Sequence, residues 1–144
     1  NDVTSEDVCL ANIEISNYSS NLIPCQVSLS SISKNGRGFS LEIYGSEGSL
    51  ILKSENQKDY VHGFNLKYSN NENKIQNLTA DSSFNFEKTW TDGRIAPVLR
   101  IQNLWAQSII NGTPVIPGLC EGLASHKVCE AIRESSKSGL SIKI

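Results

Sequence analysis

The sequence predicts an α+β domain: an open, mostly antiparallel β-sheet of five or six strands with two main helices packed on one face. The first half alternates apolar and polar residues in short runs separated by Gly-, Asn- and Ser-rich turns, which is the period of half-buried strands. From Ile95 onward the apolar residues recur at helical spacing instead. Strands first and helices afterwards place the helices on one side of the sheet rather than between its strands. A chain of 144 residues suffices for one domain with a sizeable core. Its hydrophobic fraction of 38% suits a sheet with one wet face better than a helical bundle.

Val8 to Ile15 reads as the first strand, with Cys9, Ala11, Ile13 and Ile15 facing one way. The cluster Asn17-Tyr18-Ser19-Ser20-Asn21 is turn chemistry, since Asn and Ser side chains bond nearby backbone. Ile23 to Ser33 is the second strand. Lys34-Asn35-Gly36-Arg37-Gly38 contains Asn-Gly, a strong hairpin signal, and Phe39 to Tyr44 follows as the third strand. Gly45-Ser46-Glu47-Gly48 is a tight turn into a fourth strand, Ser49 to Lys53. The middle, 54–90, is polar and poorly periodic, with further strands at Phe64 to Tyr68 and Lys74 to Thr79 around the Asn70–Asn73 turn. In the first helix Val98, Ile101, Trp105 and Ile109 share a face, Pro97 sits in the first turn and Gly112 is the stop. The second helix runs from about Glu121 to Lys137, with Leu123, Ala124, Val128, Ala131 and Ile132 as its buried stripe and Gly139 as its end. Leu140, Ile142 and Ile144 alternate with Ser141 and Lys143 as a final strand.

Net charge is −2, and Lys and Arg are scattered, so no basic surface for nucleic acid or an anionic membrane is expected. No apolar run approaches the roughly 20 residues that span a bilayer, and the N-terminus lacks the pattern of a secretory signal. The absence of methionine leads to the expectation that residues 1–144 are one domain excised from a longer chain. Cys9, Cys25, Cys120 and Cys129 lack paired metal-ligand spacing, which predicts reduced thiols packed as small hydrophobes and a cytoplasmic setting without a metal. The N-x-S/T triplets at Asn17, Asn77 and Asn111 carry no weight in so Asn- and Ser-rich a chain.

Gly36-Arg37-Gly38 and Gly45-Ser46-Glu47-Gly48 precede strands, so their amides do not cradle a phosphate at a helix start. Glu6 and Asp7 are adjacent on a strand and point to opposite faces, which prevents joint acid/base work. His126 reads as a half-exposed helix residue, His62 as a loop residue and Trp105 as core. Trp90, before the first helix, is less easily assigned to packing. Arg94, after Asp92-Gly93, presents a planar donor fork at a helix start.

The segment GFSLEIYGSEGSLIL, Gly38 to Leu52, resembles the ΦEIxGxxGxL strand-turn-strand of the glucose–fructose oxidoreductase, inositol dehydrogenase and rhizopine-catabolism family, written Gfo/Idh/MocA. Val3-Thr4-Ser5-Glu6-Asp7 is similar to that family's T-x-E/D-D approach to the first sheet strand. Gly112, Pro114, Pro117, Glu121-Gly122-Leu123, Ala131, Ser135-Ser136 and Gly139 look like its last helix and strand.

The resemblance implies the C-terminal, substrate-side domain of an enzyme whose Rossmann domain binds NAD or NADP and whose substrate is a sugar or polyol. The family's E-K-P lysine and D-x-G-x-H aspartate and histidine have no counterpart in this chain. The expectation is therefore a fragment that binds no cofactor, carries no catalytic residue and does not turn over alone. The resemblance also implies substrate contacts near Lys34, Arg37 and Arg94, and a homo-oligomer formed through the open sheet face. A carbohydrate-binding module or a purely structural oligomerisation domain are the alternatives; sugar binding without nucleotide favours the first, and tight self-association without ligand the second.

Overall fold

The computed structural model describes residues 6–16, 21–56, 62–70, 72, 74–79, 81 and 91–144. Among the described residues six strands and two helices are formed: β1 (Val8–Ser16), β2 (Leu22–Ser30), β3 (Phe39–Gly45), β4 (Gly48–Ser54), β5 (Asn65–Asn70), β6 (Ile75–Leu78), α1 (Ile95–Asn111) and α2 (Leu119–Ser138). All strand pairs are antiparallel, so the α+β class and the strand number are as the sequence predicts. β1 and β2 form a two-stranded ladder, and β3-β4-β5-β6 a four-stranded meander. The chain correspondingly divides into two units, Asn1–Asn35 with Ile116–Ile144, and Gly36–Val115, so each unit owns one sheet and one helix.

In the first unit the ladder pairs Cys9 with Leu29, Ala11 with Val27 and Ile13 with Cys25. Directly paired residues share a face, and on this face Cys9, Ala11, Ile13, Cys25 and Val27 are half-buried. Pro24 lies in β2 opposite Glu14, and among the described residues of this unit no strand pairs with the other edge of β2, where its missing N–H costs nothing. The turn cluster 17–20 lies outside the described residues. In α2 the half-buried positions are Val128, Ala131, Ile132 and Ser135, a single stripe. The expected stripe starts too early, since Leu123 and Ala124 are exposed. Glu121 accepts the Gly118 N–H at 2.7 Å and so satisfies one of the unpaired donors at the helix start. Gly139, at φ 70°, closes the other end by donating its N–H to Ser135 O at 2.8 Å.

In the second unit the register produces two unlike faces. Leu41 pairs with Leu52, Ile43 with Leu50, Leu52 with Leu66, and Leu66 with Leu78. The opposite face carries Ser40, Lys53 and Asn65 in one row, and Glu42, Ile51, Lys67 and Asn77 in the next. Phe39 and Phe64 meet edge to face at the apolar side, their ring centroids 5.5 Å apart. Asn70 Oδ1 accepts the backbone N–H groups of Glu72 and Lys74, which sets the turn between β5 and β6. Among the described residues no apolar side chain is fully buried; the buried positions are Ser54 and Gly93.

The hairpin expected at Lys34–Gly38 falls on the boundary between the two units, with Asn35 at φ 55° and Gly38 at φ 73°. Its exit runs against the end of β4, where a Cβ on Gly38 would lie 2.1 Å from Ser54 O. The final strand, Leu140–Ile144, has no ladder partner among the described residues. Alternation prepares a segment to pair, but a strand exists only where a neighbour supplies the hydrogen bonds.

Candidate functional site

The start of α1 is organised by one carboxylate. Asp92 Oδ1 accepts the backbone N–H of Arg94 at 3.0 Å, and Asp92 O accepts the N–H of Ile95 at 3.2 Å, which turns the chain into the helix. The Arg94 guanidinium folds back on the same side chain, with Nε 2.9 Å from Oδ1 and Nη2 2.7 Å from Oδ2. This side-on, charge-assisted pair fixes a planar donor group beside the helix start. The guanidinium, and then the Arg94 backbone N–H, pull the Asp92 carboxyl down to about 2. Gly93, between them, is buried.

Arg37 lies exposed in the segment leading into β3. Beyond it, the even positions of β3 build a hydrogen-bonded carboxylate on the polar face. Tyr44 donates its hydroxyl to Glu42 Oε2 at 2.6 Å, Ser40 donates to Oε1 at 3.3 Å, and Lys53 Nζ lies 3.9 Å from Oε1. The Tyr44 hydroxyl is the main cause holding Glu42 below the usual carboxylate range, with Ser40, Lys53 and Arg37 adding to it. The same bond pushes the Tyr44 phenol up.

Lys34 sits exposed in its turn, in the first unit, whereas Arg37 and Arg94 belong to the second. The three predicted donors are therefore not gathered within one unit. Asp92 and Glu42 are the partners that sequence reasoning missed. For Glu42 a signal existed, since Ser40, Glu42 and Tyr44 share strand parity.

The remaining singled-out residues divide between packing and surface. Glu6 bonds Arg133 and Asp7 accepts from the Ser31 hydroxyl, but both residues precede β1 rather than lying on it. His126 is exposed, and His62 is half-buried, its carbonyl accepting from Asn56 Nδ2. All four cysteines are free thiols; Cys9 and Cys25 are half-buried, but Cys120 and Cys129 are exposed rather than packed. Trp105 is 53% exposed, not core. With Pro97, Val98, Ile101 and Gln102 it lines an apolar groove of about 320 Å³ along α1. Trp90 lies outside the described residues. Among the described residues no three His, Cys, Asp or Glu side chains stand where they would hold a metal ion. Both Gly-rich turns lead into strands, so these residues do not fit a dinucleotide phosphate at a helix start.

Residues 2–144 match the family described as "Oxidoreductase family, C-terminal alpha/beta domain", the Gfo/Idh/MocA C-terminal domain, and the chain belongs to it. It is also similar to an uncharacterized oxidoreductase of Synechocystis sp., with 38% identity over 133 residues. That match covers 92% of this chain and 35% of the relative, so the chain spans about a third of the curated relative's length. No solved structure matches.

Proposed function

We propose that the chain is the substrate-side domain of an NAD(P)-dependent oxidoreductase that acts on a sugar or polyol. The observation that carries this reading is membership of an oxidoreductase C-terminal domain family across residues 2–144. In this reading the nicotinamide and the proton-transfer groups belong to other parts of the whole protein. The chain contributes hydrogen-bond donors at Arg94, Arg37 and Lys34, which suit a ligand rich in hydroxyl oxygens. Arg94 is the best prepared of the three, since Asp92 already holds its fork in one orientation and so lowers the entropy lost on binding.

Self-association through the four-stranded sheet is part of the same proposal. Leu41 is 47% exposed and Ile43 is 53% exposed on its apolar face. Apolar surface left in water at neighbouring positions favours burial against another surface. A reducing, cytoplasmic setting fits four free thiols. Among the described residues no helix is long and apolar enough to cross a membrane.

The test is turnover by the full-length protein with NAD⁺ and NADP⁺ against a panel of sugars and polyols, followed by nicotinamide absorbance. Dehydrogenation of at least one panel member, weakened by Arg94→Ala mainly through KM, is the expected result. Absence of any turnover, or micromolar nucleotide binding by residues 1–144 alone, overturns the assignment of roles.

A further inference from the structure

The polar face of the four-stranded sheet carries a group of side chains that the proposed substrate donors do not use. The register sets Glu42, Ile51, Lys67 and Asn77 in one row across the four strands, with Tyr44 two residues further along β3. Tyr44 is 73% exposed, yet its ring is tethered, because its hydroxyl donates to Glu42 Oε2 at 2.6 Å. Two residues of a strand span about 7 Å, close to the reach of a tyrosine side chain. A bond to the residue two positions back therefore lays the ring along β3 instead of standing it off the sheet. Ser40 donates to the same carboxylate, and Lys53 Nζ lies 3.9 Å from it, so the acceptor is itself held in place. Between Glu42 and Lys67 the half-buried Ile51 forms an apolar floor.

A tethered ring with a polar rim matches the chemistry of a sugar. The C–H bonds on one side of a pyranose carry partial positive charge and pack against the negative face of an aromatic ring. The hydroxyls at its edge both donate and accept, which suits a carboxylate at one end of the row and an amide at the other. Charge then selects among sugars. Glu42 is the only acid in the paired rows of this face, and it counters Lys53. Lys67 has no ion-pair partner among the described residues. It stands two strands from Glu42, about 10 Å away at the backbone, and directly opposite Asn77. A ligand carboxylate at that end gains a charge-assisted hydrogen bond while staying clear of Glu42.

We propose that this face is a binding platform for an acidic saccharide: a sugar ring rests against Tyr44 and Ile51, its hydroxyls meet Glu42, and a uronate carboxylate reaches Lys67. The platform goes beyond the oxidoreductase reading and does not depend on it. Because the Tyr44–Glu42 bond already fixes the ring, less entropy is lost when a ligand docks. Self-association leaves the platform open, since Leu41 and Ile43 lie on the opposite face of β3.

The experiment measures binding of trigalacturonate to the full-length protein by calorimetry, without nucleotide, beside the fully methyl-esterified trisaccharide, which keeps the rings and removes the charge. Trigalacturonate should bind roughly threefold tighter than its ester at low salt, the worth of one exposed ion pair, and the gap should close at high salt. Tyr44→Ala should weaken both ligands about tenfold, as loss of an aromatic platform does. Tyr44→Phe, which keeps the ring and frees it from Glu42, should fall between Tyr44→Ala and wild type. Lys67→Met should weaken the acid to the level of the ester and leave the ester unchanged, whereas Lys127→Met on α2 should change neither. No binding of trigalacturonate at millimolar concentration overturns the proposal, as does equal binding of acid and ester at low salt. Unchanged binding by Tyr44→Ala overturns it too. Nicotinamide turnover without trigalacturonate binding removes the platform and leaves the oxidoreductase reading standing; binding without turnover does the reverse.

Discussion

Arg133, on α2, donates from Nε to Glu6 Oε1 at 3.1 Å, joining residues 127 positions apart, while its Nη1 holds Glu130 at 2.6 Å on the same helix. One guanidinium thus links the chain's approach to β1 with its last helix. Glu6 is held below its ordinary value by its backbone hydrogen bond first and by Arg133 second.

The sign of the resulting pH dependence follows from that depression. A carboxylate favoured in the folded state contributes stability above the unfolded pKa, about 4.3 for Glu, and loses it as pH falls through the lower folded value. Thermal melts of the wild type should therefore lose more stability on acidification than those of Arg133→Ala. At neutral pH the difference in Tm between the two should be small, because both partners are about half exposed. An Arg133→Ala melt with the same acid response as wild type contradicts the link.

Asp92 supplies a second pH window. Its folded value of about 2 lies below the ordinary 3.8, so its contribution is complete above about 4 and fades between there and about 2. Asp92→Asn retains an oxygen for the Arg94 N–H but loses the ion pair, whereas Asp92→Ala loses both. Helical content by far-UV circular dichroism should fall in the order wild type, Asn, Ala, and the acid-dependent change across that window should shrink in both variants.

Two glycines are fixed by close approach rather than by turn preference alone. A Cβ at Gly38 would lie 2.1 Å from Ser54 O, and one at Gly48 2.2 Å from Ser69 O, both backbone atoms of neighbouring strands. Gly38→Ala also places a side chain at φ 73°. Each substitution should cost at least about 2 kcal/mol in denaturant unfolding. Gly122→Ala is the control: a Cβ there meets nothing within 4 Å, and in a helix interior it should stabilise by about 0.5–1 kcal/mol.

If the four-stranded sheet mediates self-association, a charge on its apolar face should prevent it. Ile43→Lys is expected to weaken dimerisation at least about tenfold by sedimentation, since an unpaired ammonium must then be desolvated. Lys67→Ala, on the polar face of the same sheet, should leave the oligomeric state unchanged. Equal effects from the two substitutions, or a monomeric wild type at tens of micromolar, count against that interface.

The sequence by itself determined what local chemistry determines. Alternation marked β1 to β4, glycine stops ended α1 and α2 at Gly112 and Gly139, and strand parity separated Leu41 and Ile43 from Ser40, Glu42 and Tyr44. Each follows from a backbone period or from a residue's allowed dihedrals, information held within a few positions. The tertiary structure decided what depends on distant partners. Gly45-Ser46-Glu47-Gly48 signals the turn into β4, but the ladder on the other edge of β4, with β5, joins residues far apart in sequence that no turn motif encodes. Leu140–Ile144 has the right alternation and no ladder partner among the described residues. Trp105, Leu123 and Cys120 have the polarity of buried residues, yet burial needs an opposing surface, and among the described residues none encloses them. Asp92 and Arg94 stand two apart in a loop, and only its particular backbone path brings a carboxylate and a guanidinium into a two-point pair.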